Sequence, residues 1–130
     1  MAATEPRNTP IRDFRLGELS FPVADGYQIW KGTLVQLNAS GRLVPGSADT
    51  GICAGVAQES VLGTALLPQC KVMCCIAQFG NHDSIDQTDV GTMASILDDV
   101  SVSQHDNSQN DAGKIVAVDA NGVWVSVGLL

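Results

Sequence analysis

Apolar and polar positions alternate most clearly at the C-terminal end. Lys114 to Val127 reads Lys-Ile-Val-Ala-Val-Asp-Ala-Asn-Gly-Val-Trp-Val-Ser-Val. Asn121-Gly122 predicts a two-residue type I′ turn, because both residues accept positive φ. That turn fixes a register in which Ala120 faces Val123, Asp119 faces Trp124, Val118 faces Val125, Ala117 faces Ser126 and Val116 faces Val127. Val116, Val118, Val125 and Val127 then share a β-branched face, while Ala117, Asp119, Trp124 and Ser126 share a mixed one. A sheet with one buried side needs this division. The stretch Val35 to Val44 has the same design 81 residues earlier (116 − 35), with Asn38 at the place of Asp119 and Gly41 at the place of Gly122. Shared ancestry or convergence on one turn chemistry would account for it equally.

Between the two hairpins, short apolar runs recur about every ten residues with turn signals between them, and no stretch has a 3.6-residue apolar period. Strands are expected at Val23 to Trp30, Gly32 to Leu37, Arg42 to Val44, Ile52 to Gln58, Leu66 to Gln78, Thr92 to Leu97 and Val100 to Ser103. Polar loops are expected at Gly80 to Asp89 and His105 to Gly113, with room for a turn of helix near Thr88 to Met93. The pattern predicts a mainly β protein, a single compact β-barrel or β-sandwich over residues 23–130. Met1 to Pro22 is different. Pro6, Pro10 and Pro22 exclude a continuous helix or a central strand, and Phe14, Leu16, Leu19 and Phe21 alternate with charged residues. Residues 1–22 are expected to form an extended N-terminal arm that orders on a partner, with an edge strand on its own domain as the alternative.

Charge sharpens this division. The net charge is −7, yet five of the seven basic residues (Arg7, Arg12, Arg15, Lys31 and Arg42) lie in the first 42 positions. From residue 43 onward ten acids face only Lys71 and Lys114. An acidic body argues against free nucleic acid as a partner, since phosphate binding needs a basic surface. No run approaches the roughly 20 apolar residues of a membrane span, and the polar, proline-punctuated amino end is not that of an export signal.

Candidate chemistry is thin. On a strand, Cys70, Val72, Cys74 and Ile76 point one way while Lys71, Met73 and Cys75 point the other. Cys74 and Cys75 therefore cannot chelate one ion, and core packing is the expected role of these thiols and Cys53. His82-Asp83 and His105-Asp106 are acid–base candidates in polar loops, but no Gly-x-Ser-x-Gly elbow accompanies them. An aspartate is also badly placed to orient its own neighbour. Asp83, Asp86 and Asp89 repeat every third residue, which is not a calcium-loop pattern. No catalytic, cofactor-binding or metal residue is assigned, and a structural or binding role is expected.

The order of segments resembles the small bacteriophage capsid decoration, or cement, proteins of the lambda type. The residues that carry the resemblance are Lys31-Gly32-Thr33-Leu34-Val35, Ala39-Ser40-Gly41 with Pro45, Gly55-Val56-Ala57, Thr88-Asp89-Val90-Gly91, Asp98-Asp99-Val100, and Ala112-Gly113-Lys114-Ile115-Val116 running into Gly122-Val123-Trp124-Val125. They span about Tyr27 to Leu130. For the arm the likeness is of layout only. The resemblance implies a β-tulip-like fold and a homotrimer seated on the outer capsid surface of the virion. Its partner would be the major capsid protein, and its role to stabilise the head against packaged DNA. On that reading Arg7, Arg12, Phe14, Arg15, Leu16, Leu19 and Phe21 contact the capsid, and Trp30 and Trp124 lie in the core or trimer interface. A tail or fibre-base module is the structural alternative. A small hydrolase or metal enzyme built on the Cys and His loops is the enzymatic one.

Overall fold

The computed structural model describes residues 2–49 and 51–129, and for residues 11–16 it describes the backbone alone. The chain is mainly β, as its alternation predicts. Eleven strands run in the order β1 (Ile11–Pro22), β2 (Gln28–Ile29), β3 (Leu34–Leu37), β4 (Leu43–Pro45), β5 (Ile52–Ala57), β6 (Val61–Leu62), β7 (Gln69–Asn81), β8 (Met93–Ile96), β9 (Ser101–Gln104), β10 (Asp111–Asp119) and β11 (Gly122–Val127). Strands β7, β9, β8, β10 and β11 close into a five-stranded barrel, since β11 pairs back onto β7. Strands β5, β3 and β4 extend the same sheet from β7, and β2 and β6 form a separate two-stranded piece.

The thirteen residues of β7 organise all of this. Residues 75–77 pair with both β1 and β11, which therefore lie on opposite edges. The amides of Gln78, Gly80 and His82 donate to Pro10, Val100 and Val102 at 3.1, 2.8 and 3.2 Å. Alternate residues of a strand address one edge, so β9 continues where β1 stops. β5 pairs with Val72 and Met73 on the other edge, ahead of β11. The two faces of β7 also serve different cores. Cys75, Ala77 and Phe79 join Ile96, Val102, Ile115, Val123, Val125 and Val127 inside the barrel. Cys70 and Val72 face a smaller cluster with Val23, Ile29, Val35, Leu43, Ala54 and Ala57. Strands β3 and β5 are shared in the same way, with Leu34, Cys53 and Val56 in the first cluster and Val35, Ala54 and Ala57 in the second. Burial on both faces explains why these strands read as unbroken apolar runs.

Several boundaries move relative to the expectation. β7 begins at Gln69 and runs to Asn81, and the strand expected over Val23 to Trp30 shrinks to Gln28–Ile29. The expected turn of helix is the 3-10 turn Gln87–Asp89. The C-terminal hairpin is corrected in register. Asp119 pairs with Gly122, Val118 with Val123 and Ala117 with Trp124, and Ile115 pairs with Val125 after a bulge that leaves Val116 out. Val116 is accordingly 38% exposed rather than buried. Two forces displace the turn to Ala120-Asn121. The Asp119 carboxylate accepts the amides of Asn121 and Gly122 at 2.8 and 3.2 Å, which ties the chain into a side-chain-capped turn. Gly122 is required one place later for space, because a Cβ there would collide with the Phe79 carbonyl oxygen. The first hairpin uses the same device: Asn38 Oδ1 accepts the amides of Ser40 and Arg42 at 2.9 and 3.1 Å.

The amino-terminal segment bends at Thr4 and Glu5 and then lies along its own domain, where β1 is the edge strand given above as the alternative to an arm that orders on a partner. Residues 2–10 cross the body and β1 follows as an antiparallel neighbour of β7. The boundary drawn after Pro22 thus falls at the end of a strand that belongs to the sheet.

Two glycines with similar turns separate close approach from conformation. Gly122→Ala should cost about 3 kcal/mol, because strain and overpacking combine. Gly41→Ala has φ +73 with nothing within 4 Å of the added methyl, and should cost only about 1 kcal/mol. Urea denaturation of both variants measures the difference.

Candidate functional site

A barrel of five strands has no lumen. Its interior is filled by Phe79, Ile96, Ile115 and the valines of β11, with Ile85 from the following loop, so any function lies on the surface. The structure offers two places, a polar cleft and the amino-terminal segment.

The parallel pairing of β7 with β9, Gly80 with Ser101 and Asn81 with Val102, carries the ends of both strands in one direction. It brings together His82-Asp83 and His105-Asp106, 23 residues apart in the chain (105 − 82). They line an open cleft of about 520 Å³ with Ser103, Gln104, Asn107 and Gln109. Contiguity was not legible in the sequence, but the expected surface exposure of these loops is correct.

The groups in the cleft are occupied by turn chemistry. Asp106 Oδ1 accepts the backbone amide and hydroxyl of Ser108 at 2.9 and 2.7 Å, and these bonds hold its carboxyl below the usual range. His105 places Nδ1 3.2 Å from Asp111 and Nε2 2.9 Å from Asn107 Oδ1, which braces its own loop. The Ser103 hydroxyl donates to the Gln104 carbonyl and to Gln109 Oε1 at 3.4 and 3.2 Å, not to an imidazole. No general base therefore activates it in this arrangement. Within the Asp83, Asp86, Asp89 repeat, Asp86 and Asp89 form a capping box. Asp86 Oδ1 accepts Thr88 N at 2.9 Å, and the Asp86 amide donates to Asp89 Oδ2 at 2.9 Å. The Thr88 bonds lower the Asp86 pKa. An acid three residues after an N-cap residue is the signal that could have found it. Among the described residues no group of three or more His, Cys, Asp or Glu side chains could hold a metal ion.

The four cysteines are buried thiols, consistent with the packing role expected of them. Burial pushes the Cys53 thiol up to about 12, with neighbouring Cys74 and Cys75 adding to it. Burial, and then the Glu59 charge, pushes Cys70 up to about 11. Thiols held protonated are poor nucleophiles and poor ligands.

The amino-terminal segment is built differently. Ala3 N–H donates to Asp99 Oδ1 at 2.7 Å, and Arg7 N–H to the Lys31 carbonyl at 2.8 Å. The Arg7 guanidinium donates to the Val100 carbonyl at 3.3 Å and faces Asp99 and Asp98. The Thr9 hydroxyl donates to the Gly32 carbonyl. Arg7, expected to be free for a partner, is thus engaged within its own chain. Phe21 packs half-buried against the smaller core, and Leu19 is half-buried on β1. The side chains of Arg12, Phe14, Arg15 and Leu16 lie outside the described residues. The β1 backbone register skips Arg12, Arg15 and Leu16: Ile11 pairs with Ala77 but Asp13 with Ile76, and Phe14 pairs with Cys75 but Gly17 with Cys74. Trp30 and Trp124 are half-buried at the surface and belong to neither core cluster. The Trp124 indole donates to Asp119 Oδ2 at 3.0 Å.

No protein-family model, curated protein or solved structure matches this chain. Among the described residues no helix is long and apolar enough to cross a membrane.

The buried thiols make stability depend on pH in the alkaline range. Below pH 9 the folded and unfolded states both keep their thiol protons. Above it the unfolded thiols ionise while Cys53 holds its proton to about 12, so stability is lost as pH rises from 9. Denaturant melts at pH 8.5 and 10.5 should show a loss of roughly 2 kcal/mol from Cys53. A Cys53→Ala variant lacks that part of the slope. A disulfide reagent at pH 8 should label none of the four thiols until denaturant is added.

Proposed function

We propose that this chain is a virion structural protein that binds the outer surface of a bacteriophage head and stabilises the shell as a decoration protein. β1 carries the reading. It is a twelve-residue strand with β7 on one edge and no described strand on the other. Its register skips Arg12, Arg15 and Leu16, so bulges lift two arginines and a leucine off the ladder. An open strand edge offers backbone groups to an extended partner segment, and bulges commonly mark where an edge is put to use. The body is acidic, whereas residues 1–22 balance Arg7, Arg12 and Arg15 against Glu5, Asp13 and Glu18, so the segment that would dock is the neutral part of an acidic molecule. The partner is the major capsid protein. The copies assemble as trimers, with half-buried Trp30 and Trp124 as the residues proposed to meet between them. Many modest contacts on a repeating shell add up without one strong site.

An enzymatic reading would rest on the cleft, where His105, Asp106 and Ser103 are engaged with loop partners as described. A tail or fibre-base module would share the barrel but differ in number.

Counting this chain against the major capsid protein in purified particles tests the proposal. Comparable copy numbers support it, a handful places the chain at the tail or portal, and absence overturns the virion reading. Deleting residues 1–16 should leave a folded barrel by circular dichroism that no longer sediments with expanded heads. Undiminished binding by the truncated chain would show that the arm is not the contact.

A further inference from the structure

The segment Ala2–Pro10 is held unlike anything else in the molecule. It contributes no residue to either apolar cluster, and Ala2, Thr4, Glu5, Pro6, Asn8 and Pro10 are exposed. A groove of about 310 Å³ runs between Ala2–Arg7 and Val100, so the segment arches over the body and touches down at points. Those points are polar: Ala3 on Asp99, Arg7 on Lys31 and Val100, and Thr9 on Gly32.

The body is nevertheless shaped to receive it. Asp99 is 2% exposed and is the only buried carboxylate among the described residues. Burying a carboxylate is costly unless its oxygens are bonded, and the strap supplies the Ala3 amide and the Arg7 charge. Gly32, at φ +86, leaves the space through which the Arg7 carbonyl passes, and a Cβ there would collide with that oxygen. A segment that adds no residue to either apolar cluster can leave its seat without opening those cores, so its opening free energy falls well below that of global unfolding.

We propose that residues 2–10 form a latch closed on Asp99, that it opens without unfolding the barrel, and that opening hands these residues, with Arg7 among them, to the capsid. The last step rests on the decoration reading above; the latch itself does not. Closed, the latch keeps Arg7 against Asp98 and Asp99. Open, Arg7 is released from both acids and carries its charge into solvent ahead of β1.

Hydrogen exchange of the full chain tests the latch. The Ala3 and Arg7 amides should exchange at least about 100-fold faster than those of Cys75–Phe79 and Val123–Val127, with little denaturant dependence. Asp99→Ala should speed the two strap amides at least about tenfold more and leave the barrel amides unchanged. Thr9→Val, at the other anchor, should act in the same direction should Asp99→Ala fail to fold. Strap amides that exchange at the barrel's rate, or that ignore both substitutions, overturn the latch. Binding to expanded heads tests the hand-over. Asp99→Ala should bind more tightly than wild type, because the binding-competent fraction is larger. Equal or weaker binding overturns the hand-over. Wild-type protein that ignores heads altogether overturns the decoration reading and the hand-over with it, and leaves the latch to the exchange data.

Discussion

Everything in this fold depends on β7 keeping both edges and both faces occupied. Four strands divide its edges between them, β1 and β9 on one, β5 and β11 on the other. A typical strand of five or six residues could not do this, and thirteen can. Two-sided burial then restricts the side chains. Cys74 lies under Gly128, where a Cβ would stand 2.5 Å from its sulfur, and its neighbour Cys75 enters the barrel core. Small apolar side chains are needed on consecutive residues facing opposite ways, and cysteine meets that need. The thiols are thus explained by the geometry of a shared strand, without redox or metal chemistry.

The same sharing decides what could be read from the sequence. Strand after strand with turns between them gave the mainly β class correctly, because that signal is local. The last hairpin failed in register, because Asn121-Gly122 is a strong local signal overruled by Asp119 and by the Phe79 backbone beneath Gly122. Neither is visible in a pattern of turn residues. The extent of β7 was misjudged at both ends because its periodicity is not of one face: even positions are buried at Cys70 and Val72, odd positions at Cys75, Ala77 and Phe79. Barrel closure depends on which strands share β7, and that is a property of three-dimensional pairing alone.

The candidate sites were legible as residues and not as places. His82 and His105 were recognisable as acid–base groups, yet only the parallel β7–β9 pair makes them neighbours. Of the cleft's groups, His105 and Asp106 are seen to serve their own loop: His105 spans Asp111 and Asn107, and Asp106 ties Ser108. Asp86 and Asp89 likewise cap one another's turn. Short polar side chains have two uses in loops, ligand chemistry and local backbone satisfaction, and composition does not distinguish them. Asp99 is the instructive omission. Its burial comes from the crossing of residues 2–10, which no periodicity around Asp98-Asp99 announces.

Charge then limits how such molecules can assemble. Bodies of net charge −7 repel one another at contact range, although salt confines that repulsion to roughly 8–10 Å. Cohesion between copies, or with a shell, must therefore come from contacts that do not bring acid against acid. On the described surface these are the open backbone edge of β1 and half-buried apolar groups such as Trp30, Trp124 and Leu19. The first is directional and specific for an extended partner, and the second is neither. The proposed decoration role rests on this pair of surface features, because the inside of the barrel is filled by its own side chains.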